Sequence, residues 1–190
     1  MTTFRRLEIP DLIEICPPKF GDERGFFSEA WKRSAFEGQG LDFDWVQDNE
    51  SLSAEVGTVR GLHFQVPPFA QDKLVRVLRG AIYDVAVDIR HGSPTYGKWV
   101  GLELSSAKWN QILVPAGFAH GFMTIAPETE VLYKVSAPYS AESERTILWT
   151  DPDLAISWPE LDSSPILSAK DRVAPTFAQQ EPVFQYEPRR

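Results

Sequence analysis

The sequence predicts an all-β fold, an antiparallel jelly roll with one short helix and irregular terminal segments. Short apolar runs recur from Asp44 onward, each bounded by Gly or Pro turns. One run, Tyr83 to Arg90, alternates apolar and polar residues with the period of two that defines a strand. The links between runs are too short for the crossover helices that a parallel sheet requires. The 15 prolines among 190 residues exceed average usage and suit a loop-rich β architecture. A chain of this length is the usual size of one domain, taken here as residues 1–190 with 172–190 as a peripheral tail.

The first segment alternates weakly through Phe4, Leu7, Ile9, Leu12, Ile13 and Ile15 and stops at Pro17-Pro18, because proline cannot donate to a ladder. Phe20 to Glu29 is a Gly-punctuated turn leading into an aromatic strand, and Ala30 to Glu37 is the only stretch with helical character, ended by Gly38 and Gly40. The strand Leu74 to Leu78 is expected to pair with Tyr83 to Ile89 through a hairpin at Arg79-Gly80. In the latter strand Tyr83, Val85, Val87 and Ile89 form one apolar face, opposite Asp84, Ala86, Asp88 and Arg90. Trp99 to Leu104, Gln111 to Val114, Phe118 to Ile125 and Val131 to Val135 continue the series across breaks at Ser93-Pro94, Gly97 and Pro115-Ala-Gly117. The tail beyond Ser168 is expected along the surface or against a partner subunit.

A net charge of −8 argues against a nucleic-acid partner, which is held through many Lys and Arg neutralising phosphates. A small anion gripped by a few placed cations remains open. No apolar run approaches the roughly 18 residues that span a bilayer, so no membrane role is expected. The single Cys16 has no disulfide partner and the N-terminus lacks the apolar core of a signal peptide, which together read as cytoplasmic.

His63 and His120 lie in the stretches Arg60-Gly-Leu-His-Phe-Gln65 and Pro115-Ala-Gly-Phe-Ala-His-Gly-Phe122. In strand geometry His63 and Gln65 share one face and Leu62 and Phe64 the other. Alone, His63 reads as a structural imidazole at a strand end, although Arg60-Gly61 beside it offers close backbone approach and a phosphate-binding side chain. His63, His91 and His120 are isolated from one another, whereas a metal centre on such sheets needs clustered ligands, so no metal site is expected. Lys73 reads either as a solvated strand-end charge or, on the face of Val75 and Val77, as a buried cation in search of an anion. Tyr133 reads as a core tyrosine, Tyr139 as a surface aromatic and Asp171 as an exposed acid.

Taken together, the stretches Asp22-Glu-Arg-Gly-Phe-Phe-Ser-Glu29, Gln47-Asp-Asn-Glu-Ser51, Arg60-Gly-Leu-His-Phe-Gln65, Gln71-Asp-Lys-Leu-Val75, Asp84-Val-Ala-Val-Asp-Ile-Arg90, Pro115-Ala-Gly-Phe-Ala-His-Gly-Phe122, Leu132-Tyr-Lys134 and Leu167-Ser-Ala-Lys-Asp171 resemble, in order and over nearly the whole chain, the dTDP-4-dehydrorhamnose 3,5-epimerases of deoxysugar biosynthesis. The resemblance implies a cupin-like jelly roll, a homodimer, and cofactor-free inversion of C3 and C5 in a nucleotide-linked 4-keto-6-deoxy sugar, as in dTDP-L-rhamnose formation. By the family's pattern His63 is the general base with Asp171 as its partner, Lys73 stabilises the enolate oxygen, and Tyr133 is the general acid. An unperturbed imidazole, titrating at about 6.5, suits a base at neutral pH. The same pattern assigns Arg24, Arg60 and Lys170 to the diphosphate, Glu29, Gln47, Asn49, His120 and Glu144 to other substrate contacts, and Tyr139 to stacking on thymine, some of them from a second subunit. The segment Ala141-Glu-Ser-Glu-Arg-Thr146 departs from the pattern in lacking the Pro and Gly that relatives often carry there. Epimerases acting at C3 alone or C5 alone share these residues and stay open as alternatives, as do a non-catalytic sugar-nucleotide-binding jelly roll and a metal-dependent cupin.

Overall fold

The computed structural model of the chain describes residues 1–161 and 164–187; positions 188–190 of the expected tail lie outside the described residues. Two antiparallel sheets face each other. The larger has the spatial order β1 (Thr3–Arg6), β2 (Ile13–Cys16), β11 (Gln111–Val114), β7 (Lys73–Arg79), β13 (Thr129–Val135), β5 (Gln47–Ser53). The smaller has the order β10 (Trp99–Ser105), β8 (Ala81–Asp88), β12 (Phe118–Thr124), β6 (Val59–Gln65), β14 (Glu144–Thr146). A small hairpin joins β3 (Phe20–Asp22) to β4 (Gly25–Phe27), and β9 (Arg90–His91) pairs in parallel with β15 (Phe184–Gln185). From β5 to β14 the chain passes back and forth between the two large sheets, which is the winding of a jelly roll.

That winding corrects one expectation. Arg79-Gly80 does not close a hairpin: β7 pairs with β11 and β13, and β8 with β10 and β12. The link instead turns a corner from one sheet to the other. Gly80 makes the corner possible, with φ of +79° and a neighbouring Thr129 so close that a Cβ would meet its Oγ1 at 2.3 Å.

The space between the sheets is filled at one end by Val75, Val77, Ile82, Ala86, Leu104, Ile112 and Phe118, all buried. Fully burying each of the larger of these side chains is worth about 1.5–3 kcal/mol. The outer face of the larger sheet carries a second cluster of Ile13, Ile15, Leu74 and Leu113, covered by Phe36 and Leu41 of the segment that contains helix α1 (Arg33–Glu37). The helix begins three residues later than expected. The outer face of the smaller sheet carries Leu62, Phe64, Val85 and Val87, covered by Leu154, Trp158, Phe177 and Phe184 from the C-terminal part of the chain.

These covering layers invert the reading of β8. Its apolar residues Val85 and Val87 point outward, under the C-terminal segment, and its acids Asp84 and Asp88 point between the sheets, both with no exposed surface. Alternation correctly marked a strand, but both faces are buried. The terminal segments are also more regular than expected. The N-terminus supplies β1 and β2, and the C-terminal part holds a second helix, α2 (Ala169–Arg172), a 3-10 turn (Phe177–Gln179) and β15. No helix among the described residues is long and apolar enough to cross a membrane.

β6 and β12 come closest at Gly61, whose φ is +127° and where an added Cβ would lie 2.6 Å from Gly121 Cα and 2.8 Å from the His120 carbonyl oxygen. His63 and His120 are directly opposed in this same pairing. Replacing Gly61→Ala is expected to cost about 1–3 kcal/mol from the backbone conformation alone, with further loss from the clash; a thermal melt within a degree of wild type would refute this.

Candidate active site

Beyond the apolar end, the sandwich opens into a cavity of about 530 Å³ lined by both sheets and by the C-terminal segment. A recess of about 130 Å³ shares His63, Lys73, Tyr133 and Glu144 with it and extends to Asn49 and Tyr139. Strand parity explains the lining. In the larger sheet Tyr133 stands opposite Asn49 and Val75, while Val135 stands opposite Gln47 and Lys73, so these side chains share the inner face. In the smaller sheet His63 stands opposite His120 and Thr146, and Gln65 opposite Glu144.

His63 is partly open to the cavity, with a quarter of its side chain exposed (25%), and its Nε2 lies 2.6 Å from Asp171 Oδ1. Asp171 is 2% exposed, which corrects the expectation of a surface acid. The reason is local. Ser168 caps α2 by accepting from the Asp171 backbone N–H at 3.2 Å, and its hydroxyl donates to Asp171 Oδ2 at 2.8 Å. Upstream, Ile166 is tied to the start of β6 by Ile166 N–H to Gly57 O and Val59 N–H to Ile166 O, both 2.9 Å. Burial works to raise the Asp171 carboxyl pKa, yet the His63 hydrogen bond and charge, the Ser168 hydroxyl and Lys170 hold it below the ordinary carboxylate range.

Lys73 is 8% exposed and points inward with Val75 and Val77, the second of its two sequence readings. Its Nζ makes one long hydrogen bond, 3.4 Å to the His63 carbonyl oxygen. Burial pulls its pKa down to about 8 against the opposing fields of Asp84 and Glu144. The Tyr133 hydroxyl is pushed up, first by burial, with Arg60 and Lys170 acting against the shift. Glu144 accepts from Lys170 Nζ at 2.8 Å and from the Tyr139 hydroxyl at 3.3 Å, and His120 Nε2 lies 2.8 Å from Asp84 Oδ2. Glu144 thus reaches the cavity wall despite the altered loop around it.

The structure brings His63, Lys73, His120, Tyr133, Glu144, Arg60, Lys170 and Asp171 to one cavity, with Asn49 and Tyr139 in the adjoining recess. Gln47 stands behind Asn49, to which its Nε2 donates at 2.6 Å. It does not bring Arg24 and Glu29 there. Arg24 is exposed and bonded to Asp22, Glu29 is paired with Lys32, and the β3–β4 hairpin packs on Trp109 through Phe26, edge-on at 4.8 Å. Sequence reading passed over Ser51, Ser168 and Asp84. Ser51 shares parity with Gln47 and Asn49, and Ser168 opens a Ser-x-x-Asp cap, so both carried a legible signal. Asp84 carried none, since alternation marked its face of β8 only as the one opposite the apolar residues. No group of three or more His, Cys, Asp or Glu among the described residues is placed to hold a metal ion.

Residues 6–179 match the family model described as dTDP-4-dehydrorhamnose 3,5-epimerase. The chain belongs to this family. The dTDP-4-dehydrorhamnose 3,5-epimerase of Sinorhizobium fredii is 55% identical over 183 residues, covering 96% of this chain and 93% of that one. Among solved structures, the dTDP-6-deoxy-D-glucose-3,5-epimerase of Legionella pneumophila in complex with dTDP-4-keto-L-rhamnose is 41% identical with a TM-score of 0.94, covering 99% and 100% of the two chains. A 3'-monoepimerase of Streptomyces bikiniensis in complex with dTDP-quinovose is more distant at 33% identity and a TM-score of 0.86, covering 92% and 87%. The proteins similar to this chain thus include enzymes whose names record inversion at one centre or at two.

The Asp171 carboxylate contributes stability that is present above the unfolded-state pKa of about 3.9 and lost as pH falls through its depressed folded value. Asp171→Asn is therefore expected to cost about 1–3 kcal/mol at pH 7, by urea denaturation, and progressively less below pH 4. A deficit that does not shrink in acid would count against this.

Proposed function

We propose that the chain is a cofactor-independent epimerase that inverts C3 and C5 of a dTDP-4-keto-6-deoxyhexose, in the formation of dTDP-L-rhamnose or a related sugar. The observation that carries this reading is the placement of His63 with its carboxylate on one sheet, Tyr133 on the other, and the buried ammonium of Lys73 in the same cavity. The C4 ketone acidifies the neighbouring C–H bonds. His63 takes the proton, the C–H electron pair moves into the C3–C4 or C4–C5 bond, and the carbonyl pair moves onto oxygen, where Lys73 meets the new charge. Tyr133, kept protonated by its burial, returns a proton to the same carbon from the opposite face, and the enolate pair re-forms the ketone. A proton passed through solvent resets the imidazolium and phenolate for the second centre. Asp171 keeps the imidazole oriented and supports its charge.

Arg60 and Lys170 hold the diphosphate, Tyr139 stacks on the thymine ring, and Gln47, Asn49, His120 and Glu144 supply polar contacts. Arg24 and Glu29 act from a second copy of the chain. This homodimer is supported by the exposure of Phe20, Phe26 and Phe27 on the hairpin that carries Arg24, apolar surface that a partner would cover. A cytoplasmic location rests on the single unpaired cysteine. The preference for two centres rests on the higher identity to relatives named 3,5-epimerases than to the monoepimerase.

Proton NMR of dTDP-4-keto-6-deoxyglucose in deuterated water is expected to show enzyme-dependent exchange at both C3 and C5; exchange at one carbon alone would exclude the double epimerase. His63→Asn should abolish exchange while leaving dTDP binding within a few-fold. Tyr133→Phe should retain exchange and lose about a hundredfold or more in epimer formation. Because Lys73 acts as a cation, kcat/KM is expected to fall as pH rises through about 8, the value to which burial draws it. A profile flat to pH 10 would remove Lys73 from this role.

A further inference from the structure

Asp84 and Asp88 lie on the same inner face of β8 and neither has any exposed surface, yet they are served unequally. Asp88 is saturated: it accepts from the backbone N–H and Nε of Arg90 at 3.0 and 2.9 Å, from its second guanidinium nitrogen at 2.7 Å, and from Ser93 and Thr95, both at 2.6 Å. Asp84 has one hydrogen bond, from His120 to Oδ2, and its Oδ1 is buried without a partner. Its register neighbours are Leu102 and Phe122, which offer nothing polar. A buried carboxylate left in this state costs several kcal/mol unless cations compensate it. The cation within its field is Lys73, on the opposing sheet, itself held by a single 3.4 Å bond and more strongly influenced by Asp84 than by Glu144. No direct ion pair links the two among the described residues; Lys73 lines the cavity with capacity to spare, and Asp84 lies buried behind His120, which also lines it.

We infer that Asp84 is a positioning residue that holds the His120 ring in one orientation, so that its Nδ1 and the Lys73 ammonium both face the bound sugar. The inference rests on the epimerase reading above and deepens it. With Nε2 committed to Asp84, Nδ1 is the ring nitrogen left for the cavity. Without Asp84, the ring would lose the hydrogen bond that fixes it and Lys73 the stronger of its two acidic neighbours. The remaining charged and titratable groups around this point are His63 on β6, Tyr133 on β13 and Glu144 on β14, with Arg60, Lys170 and Asp171 at the rim.

Two measurements test this. In Asp84→Asn, folding being checked by its thermal melt, kcat should fall about tenfold or more while dTDP affinity stays within about threefold, and the alkaline limb of kcat/KM should move to lower pH as Lys73 loses its stronger acidic neighbour. In the wild-type protein, long-range 1H–15N NMR of the His120 ring should show the Nε2 proton retained, as a ring held by Asp84 requires. An alkaline limb unmoved in Asp84→Asn, or a wild-type His120 whose Nε2 carries no proton, would overturn the inference. The NMR result needs no turnover, so a wild-type protein inactive on the keto sugar would defeat the epimerase reading and leave the His120 assignment to be decided by the spectrum.

Discussion

An ammonium group placed between two β-sheets, where water reaches little of it, has to be compensated by what the sheets present, and the polar architecture of the cavity is organised around that requirement. Lys73 arrives on β7 with its neighbours Val75 and Val77 already committed to the core, so strand parity alone sends its side chain inward. Transfer of an uncompensated ion into such a site is too costly for a domain of ordinary stability. The compensation comes from the facing sheet: the His63 carbonyl on β6, the field of Asp84 on β8 and that of Glu144 on β14. A cation poised in this way is weakly satisfied at rest and strongly satisfied once negative charge develops next to it, which is the condition for stabilising a transition state more than a ground state.

The two sheets divide the chemistry. The smaller carries both imidazoles, on adjacent strands held close by Gly61 and Gly121; the larger carries Tyr133 and Lys73. A ligand between them meets an imidazole on one side and a phenol on the other without any loop having to move. Rigid strands rather than loops fix these groups, apart from Asp171, which is delivered by a short capped helix.

Much of this was legible in the sequence, for reasons that differ by residue. The strands from β5 to β13 announced themselves through alternation and Gly or Pro punctuation, and the placement of His63 and Gln65 opposite Leu62 and Phe64 followed from parity. Three features were not legible. Arg79-Gly80 has the length and composition of a hairpin, and nothing local distinguishes a turn within one sheet from a corner between two. The burial of Asp84 and Asp88 was hidden because alternation reports that two faces differ, without reporting which one meets water; the long C-terminal segment over Val85 and Val87 decided it. Asp171, near the end of the chain, had only its short-range context to speak for it, whereas its burial depends on β6, more than a hundred residues earlier. The family resemblance supplied the role that local pattern could not.

That last contact spans 108 residues between His63 and Asp171. The sandwich core is built from β2 to β13, and the acid that completes the His63 pair rides on a strap laid over it afterwards in sequence, fastened at Ile166 and through the ring of Phe177 and Phe184. Contacts of such long range tend to form late and straps of this kind open more readily than the sheets beneath. Opening of that strap would leave the tertiary framework intact while the base loses its counter-charge, so competence for chemistry depends on a closure separate from foldedness itself.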